Sequence, residues 1–279
     1  MRRALFALLA PAIAGCGMFG EAEELFGGSE NYDLTESQEY YVGRTVAART
    51  LKQHRLYGGP DHPLQAYVTR VGTAIAVESD RPLTFGGYHF IAIESDEVNA
   101  FAAPGGFIFV TTALLREARS EDELAGVLAH EIAHVNLNHP EDVAEAESDK
   151  ATATSAAKLA ASAAATAGAD VDPAVVDAFG VAADAVGEMV VNGYSREKEE
   201  EADALAARIL VRPDVRYDPR GLTSFLARTQ HRGGWLGSTH PDPKARIAAL
   251  ERIFATLGPL PATDPARTQA FEDATRELR

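Results

Sequence analysis

The sequence predicts an α+β protein, mainly α-helical, with a small β-sheet beside one central helix. Three observations carry this. Apolar residues recur at helical spacing through most of the chain. Two short runs instead alternate and are rich in β-formers, with Pro104-Gly105-Gly106 between them. Residues 122–139 place two histidines four apart inside an apolar helical pattern. With 279 residues, 46% hydrophobic and 24% charged, the chain can bury a sizeable core in one or two domains.

Taken in order, residues 1–15 open with Arg2-Arg3, continue as an apolar run from Ala4 to Ile13 and end in Ala14-Gly15, the parts of an export signal. The run is too short to span a membrane. Ile13-Ala14-Gly15-Cys16 resembles a bacterial lipobox, in which cleavage before the cysteine leaves it lipid-modified. Cys16 is the only cysteine, so no internal disulfide forms. Gly17, where Asp would favour retention in the inner membrane, points to the outer one. The expectation is a protein on the periplasmic face of the envelope, joined to the membrane by a lipid on Cys16. Residues 16–33, rich in Gly, Glu and Ser, form a tether. The formal charge of −15 grows more negative once Arg2 and Arg3 are removed, and with no basic cluster nucleic acid is excluded as a partner.

The folded domain is expected over residues 34–258. Thr35 with Gln38 caps a helix reaching about Tyr57, ended by Gly58-Gly59-Pro60. Pro63 to Glu78 is a second helix, with Leu64, Tyr67, Val68, Val71 and Ile75 on one face. Tyr88–Ile93 and Phe107–Thr111 read as strands. The segment holding Asn99, Gly105, Gly106 and Phe107 is either a loop leading into a core strand or an edge strand to which an extended peptide adds by main-chain hydrogen bonds. Lys150–Ala169 is dominated by alanine and Pro173–Val191 is again helical, so residues 150–191 read as a helical insertion: a hairpin packed on the domain, the favoured reading, a mobile lid over the site, or a partly disordered segment. Residues 259–279, with Pro259, Pro261 and Pro265, look like a tail.

Chemistry centres on His130-Glu131-Ile132-Ala133-His134. Histidines four apart on a helix share a face, so both imidazoles reach one metal ion, and zinc is the natural occupant. A catalytic zinc takes three protein ligands and leaves a fourth position for water. Glu131 follows the first ligand and is placed as general base. Ser120 with Glu123 reads as a capping box, Leu124, Val127, Leu128 and Val135 supply a buried stripe, and Pro140 marks the helix end. A later acidic run, Glu197 to Asp203, can complete the ligand set: Glu199 and Asp203 share a face, so Glu199 can bind the metal while Asp203 holds a ligand's outer N–H.

These residues resemble metallopeptidase family forty-eight, the zinc proteases that include the CAAX prenyl proteases and HtpX, in its periplasmic branch. Four blocks match in order: Asn99-Ala-Phe-Ala with Pro104-Gly-Gly; His130-Glu-Ile-Ala-His134; Tyr194-Ser-Arg followed by Glu199 and Ala-Asp203; and Ser238-Thr-His240-Pro241 followed by Arg246. The resemblance implies a gluzincin-type domain with one zinc ion on His130, His134 and Glu199. It implies Glu131 as general base, Asp203 behind a ligand, and His240 and Arg246 beside the site to help hold the transition-state oxyanion. His240 lies in a glycine-rich loop, and it is either that catalytic group or an inhibitory fourth ligand. Without long apolar spans the membrane-embedded branches do not fit, and the chain leaves no room for an appended helical repeat domain. Family and compartment together imply an endopeptidase acting on misfolded or misassembled envelope proteins. The competing expectation is a chaperone-like assembly factor with a closed or structural zinc site.

Overall fold

The computed structural model describes residues 35–140, 142, 193–230, 240 and 243–279. The expected export signal, Cys16, the expected tether and the expected Ala-rich helical insertion lie outside the described residues. Among the described residues no helix is long and apolar enough to cross a membrane.

Helix α1 (Glu36–Gln53) starts at the expected capping box, with both reciprocal bonds between Thr35 and Gln38 formed. It ends four residues before Tyr57. His54 is already extended, and Leu56 bridges to Ile93 while the Tyr57 N–H donates to the Ala92 carbonyl at 3.0 Å. Pairing with the sheet therefore takes these residues from the helix. Helix α2 (Pro63–Ala76) has Pro at its first position and His62 as N-cap, whose Nδ1 accepts from the Leu64 N–H.

The sheet has three strands, not two: β1 (His89–Ile93), β2 (Ala100–Ala103) and β3 (Phe107–Thr111), in the order β1-β3-β2. β1 runs parallel to β3 and β2 antiparallel to it. This corrects the edge-strand expectation at Phe107, Gly105 and Gly106. Phe107 pairs with His89 on one side and Ala103 on the other, so it lies mid-sheet and offers no free edge. Gly105 and Gly106 form the Pro104–Gly106 turn joining β2 to β3. Gly105, at φ +70°, packs so closely on α1 that a Cβ would sit 2.6 Å from the Tyr40 Cα, which makes it a packing residue. Of the segment, Asn99 and β2 border the sheet's outer edge.

After α3 (Thr112–Glu117) comes α4 (Glu121–Asn136), the helix of the two histidines. Ser120 caps it through the Glu123 N–H, while the Glu123 carboxylate reaches the Arg119 N–H and the Arg228 guanidinium. The helix is buried on every side from Leu124 to Val135, not along a stripe. Small residues make this possible: at Gly126 a Cβ would stand 2.8 Å from the Leu222 nitrogen, so a neighbouring helix packs backbone to backbone on α4. The helix also ends before Pro140. Asn138 adopts φ +56°, a left-handed conformation asparagine tolerates, and the chain turns there.

Helices α5 (Arg196–Leu210), α6 (Arg220–Thr229) and α7 (Pro243–Phe254) complete the surround of α4. The expected tail is corrected as well. Asp264 caps α8 (Pro265–Ala274), and Phe271 on it is fully buried, 6.3 Å from the Tyr67 ring. Arg267 stacks over Tyr217 at 4.2 Å. The prolines sit before the helix and at its first position, where the missing N–H costs nothing, so they mark a helix start.

Candidate metal centre

His130 and His134 project from one face of α4, and Glu199 meets them from α5. The His134 and His130 Nε2 atoms are 3.0 Å apart, and each lies 3.5 Å from a Glu199 carboxylate oxygen. His240 closes the group, its Nδ1 3.3 Å from His130 Nε2 and 2.8 Å from Glu199 Oε1. All four residues are buried. Of the acidic run, Glu199 and Asp203 point inward while Glu197, Glu200 and Glu201 are exposed, as the shared helix face requires.

This donor set fits zinc. A tetrahedral ion with nitrogen and oxygen ligands at about 2.0–2.1 Å imposes donor separations of about 3.3 Å, close to those found. Charge points the same way: the buried carboxylates of Glu199 and Asp203 are held well below the usual range, beside the buried Arg246 guanidinium, and a divalent cation would add to what stabilises them. Burial drives His134 well below its ordinary pKa, leaving the neutral imidazole a metal needs. For His130, burial and Arg246 also push downward, but hydrogen bonds it donates to Asp203 and Glu199 raise it to about 9. A proton there and a divalent cation are alternative ways of satisfying the same carboxylates, so metal binding releases the proton.

Around the donors the polar groups are tightly arranged. Asp203 Oδ1 lies 3.0 Å from His130 Nδ1, the outer nitrogen expected for it. Burial alone would raise the Asp203 carboxyl, yet Arg246 and His130 hold it at about 2. Arg246, expected beside the site to help hold an oxyanion, lies against the carboxylates of Asp203 and Glu199. Its Nε and one terminal nitrogen donate to the two Asp203 oxygens at 2.8 and 2.7 Å, and the other terminal nitrogen lies 2.9 Å from Glu199. The guanidinium thus lies between Asp203, to which it is hydrogen-bonded twice, and Glu199, with which it forms an ion pair, and it holds both carboxylates. Glu131 is the opposite case: both oxygens are fully buried without a hydrogen-bond partner, and His240 Nε2 stands 3.5 Å from Oε1. A carboxyl group so placed has both oxygens free of hydrogen bonds and available to exchange a proton with something that enters.

Two residues here have no role assigned from the sequence, Tyr194 entering it only as part of a matching block. His139 Nδ1 lies 2.9 Å from His134 Nδ1, and the Tyr194 ring stacks on His134 with centroids 4.0 Å apart. No spacing signals His139. On a continuous helix, positions five apart point about 140° away from each other, and only the turn at Asn138 brings the two imidazoles together.

Two histidines a turn apart on one helix, a glutamate from a second helix and a buried glutamate without a hydrogen bond beside them define a metallopeptidase centre of the HExxH class. The chain belongs to peptidase family M48, whose profile matches residues 63–254. It is 30% identical over 240 residues to the beta-barrel assembly-enhancing protease of Escherichia coli (strain K12), an alignment covering 84% of this chain and 47% of that protein. It is likewise 30% identical over 205 residues to the mitochondrial metalloendopeptidase OMA1 of Schizosaccharomyces pombe, covering 68% of this chain and 53% of the relative. A protease HtpX homolog of Gemmatimonas aurantiaca is 30% identical over 192 residues, 57% of this chain and 67% of its own. The chain thus spans about half the length of the beta-barrel assembly-enhancing proteases it matches.

Proposed function

We propose that this protein is a zinc-dependent endopeptidase of the bacterial cell envelope, with one zinc held by His130, His134 and Glu199. The observation that carries the reading is Glu131, ionisable, buried and without a hydrogen bond beside a four-donor cluster. A zinc ion bound there supplies Lewis acidity, polarising a peptide carbonyl and making water more acidic. Glu131 takes the proton of the attacking water on a carboxylate oxygen and passes it to the leaving amine. Asp203 holds His130 in the tautomer that presents Nε2. A substrate in extended form lies along the outer edge of β2, beside Asn99, where backbone groups of the strand pair with it.

Misfolded or misassembled envelope proteins are the proposed substrates, on the periplasmic face, with a lipid on Cys16 as anchor to the outer membrane. The export signal with its lipobox and the likeness to a beta-barrel assembly-enhancing protease support this. His240 is proposed as a latch, a fourth donor in the place where a catalytic metal keeps an open position. The same contact favours a second reading, an assembly factor whose metal site stays closed. Casein hydrolysis by purified protein, with and without chelator and beside Glu131→Gln, separates the two. An endopeptidase degrades casein, and chelator and the substitution each stop it. A closed assembly factor shows no degradation in any arm.

A further inference from the structure

A histidine that binds metal through Nε2 carries its proton on Nδ1, and the group accepting that proton fixes the ring's tautomer and its aim. For His130 the acceptor is Asp203. For His134 the neighbour is another imidazole, His139 Nδ1 at 2.9 Å. Two ring nitrogens at that distance bond only when one carries a proton and the other a lone pair. With His134 Nδ1 as donor, His139 accepts at Nδ1 and bears its own proton on Nε2. That nitrogen stands 3.3 Å from Glu201 Oε2 and donates to it. The relay has one self-consistent direction, from His134 through His139 to Glu201. His139 is buried and Tyr194 stacks on the His134 ring at 15° between planes, so neither imidazole is free to turn away.

We infer that His139 is a positioning residue of the metal centre: it holds His134 through Nδ1 in the tautomer and orientation that present Nε2 to the cation, and Glu201 fixes the tautomer of His139. The inference rests on the metallopeptidase reading of the site. It also gives the break in α4 a purpose, since the turn at Asn138 is what returns His139 beneath His134.

Zinc affinity, by competition with a chromophoric chelator, and the visible spectrum of the cobalt-substituted protein test this on the full chain in detergent. Circular dichroism and thermal unfolding in chelator monitor folding without metal. His139→Ala is expected to weaken zinc binding about 10–100-fold and to alter the cobalt bands. His139→Asn, whose Oδ1 replaces Nδ1 as acceptor, is expected to recover most of both. His139→Leu, closer in volume, stands in for the alanine variant should that one not fold. Zinc binding by His139→Ala or His139→Leu within about twofold of wild type overturns the inference. So does an equal loss in His139→Asn, which marks a packing role. A wild-type chain that binds no zinc overturns the metal reading beneath it and is recognised as such, because the variants then have nothing to lose.

Discussion

His130 and His134 sit one turn apart on the same helix and offer the same nitrogen to the same point, yet their outer nitrogens are secured in opposite ways. His130 is backed by Asp203, itself gripped by Arg246, and all three side chains are buried. His134 is backed by His139, whose partner Glu201 has a side chain 56% exposed. One side is a closed ion-pair wall, the other a relay that ends in water. The difference follows from helix geometry. Asp203 is one turn beyond Glu199 and shares its inward face, whereas Glu201 is two residues on and faces out. A buried ion pair is costly to break, because it leaves an uncompensated charge, and an exposed one is replaceable by solvent.

The largest effects are expected at the point where the two sides meet. His130→Ala, His134→Ala and Glu199→Ala should each lose zinc, while Glu131→Gln keeps it and loses about 10²–10⁴ in proteolytic rate. Metal analysis of the four purified variants, read beside casein hydrolysis, checks this. Full zinc in Glu199→Ala would show that the carboxylate has been misassigned.

Asp203→Ala tests the closed wall. It strands the Arg246 guanidinium among buried groups and should cost about 3–5 kcal/mol of stability. Because the ion pair exists without metal, the loss should appear in thermal unfolding in chelator as well as in the zinc-loaded protein. A penalty confined to the loaded form would mean that Asp203 acts through the metal alone.

The wall was legible in the sequence and the relay was not. Regular helical spacing exposes residues four apart, and that rule alone pairs His130 with His134 and Glu199 with Asp203. Where the chain departs from regular structure the rule fails. His139 is brought in by a left-handed asparagine, and β2 is a strand of Ala-Phe-Ala-Ala, whose small residues have little strand preference and are chosen because the sheet packs on α4. The same holds for α8, where three prolines suggested a tail but a single aromatic anchor, Phe271, docks the segment. Arg246 was expected beside the site and is there. Its two hydrogen bonds to Asp203 and its ion pair with Glu199 have no signal in the sequence, because the three residues lie on two different helices.

His240 lies against both histidines and Glu131, and its replacement gives an effect whose sign is the result. As a latch its loss opens the fourth position, so His240→Ala should raise casein hydrolysis at equal zinc occupancy. As a group that assists the oxyanion its loss should lower the rate by about a hundredfold. A large drop, with no increase on any substrate, removes the latch.

The smallest effect is expected at Glu201, the water-facing end of the relay. Its contact with His139 Nε2 is 3.3 Å and more than half of its side chain is exposed, so in Glu201→Ala water can take the N–H that the carboxylate accepted. Stability should change by no more than about 0.5 kcal/mol, the range of exposed pairs, and zinc affinity should fall only about two- to threefold, less than in His139→Ala. Thermal unfolding in chelator and chelator competition measure both beside Asp203→Ala. If Glu201→Ala destabilises the metal-free protein as much as Asp203→Ala does, burial is not what distinguishes the two sides, and the contrast between wall and relay is lost.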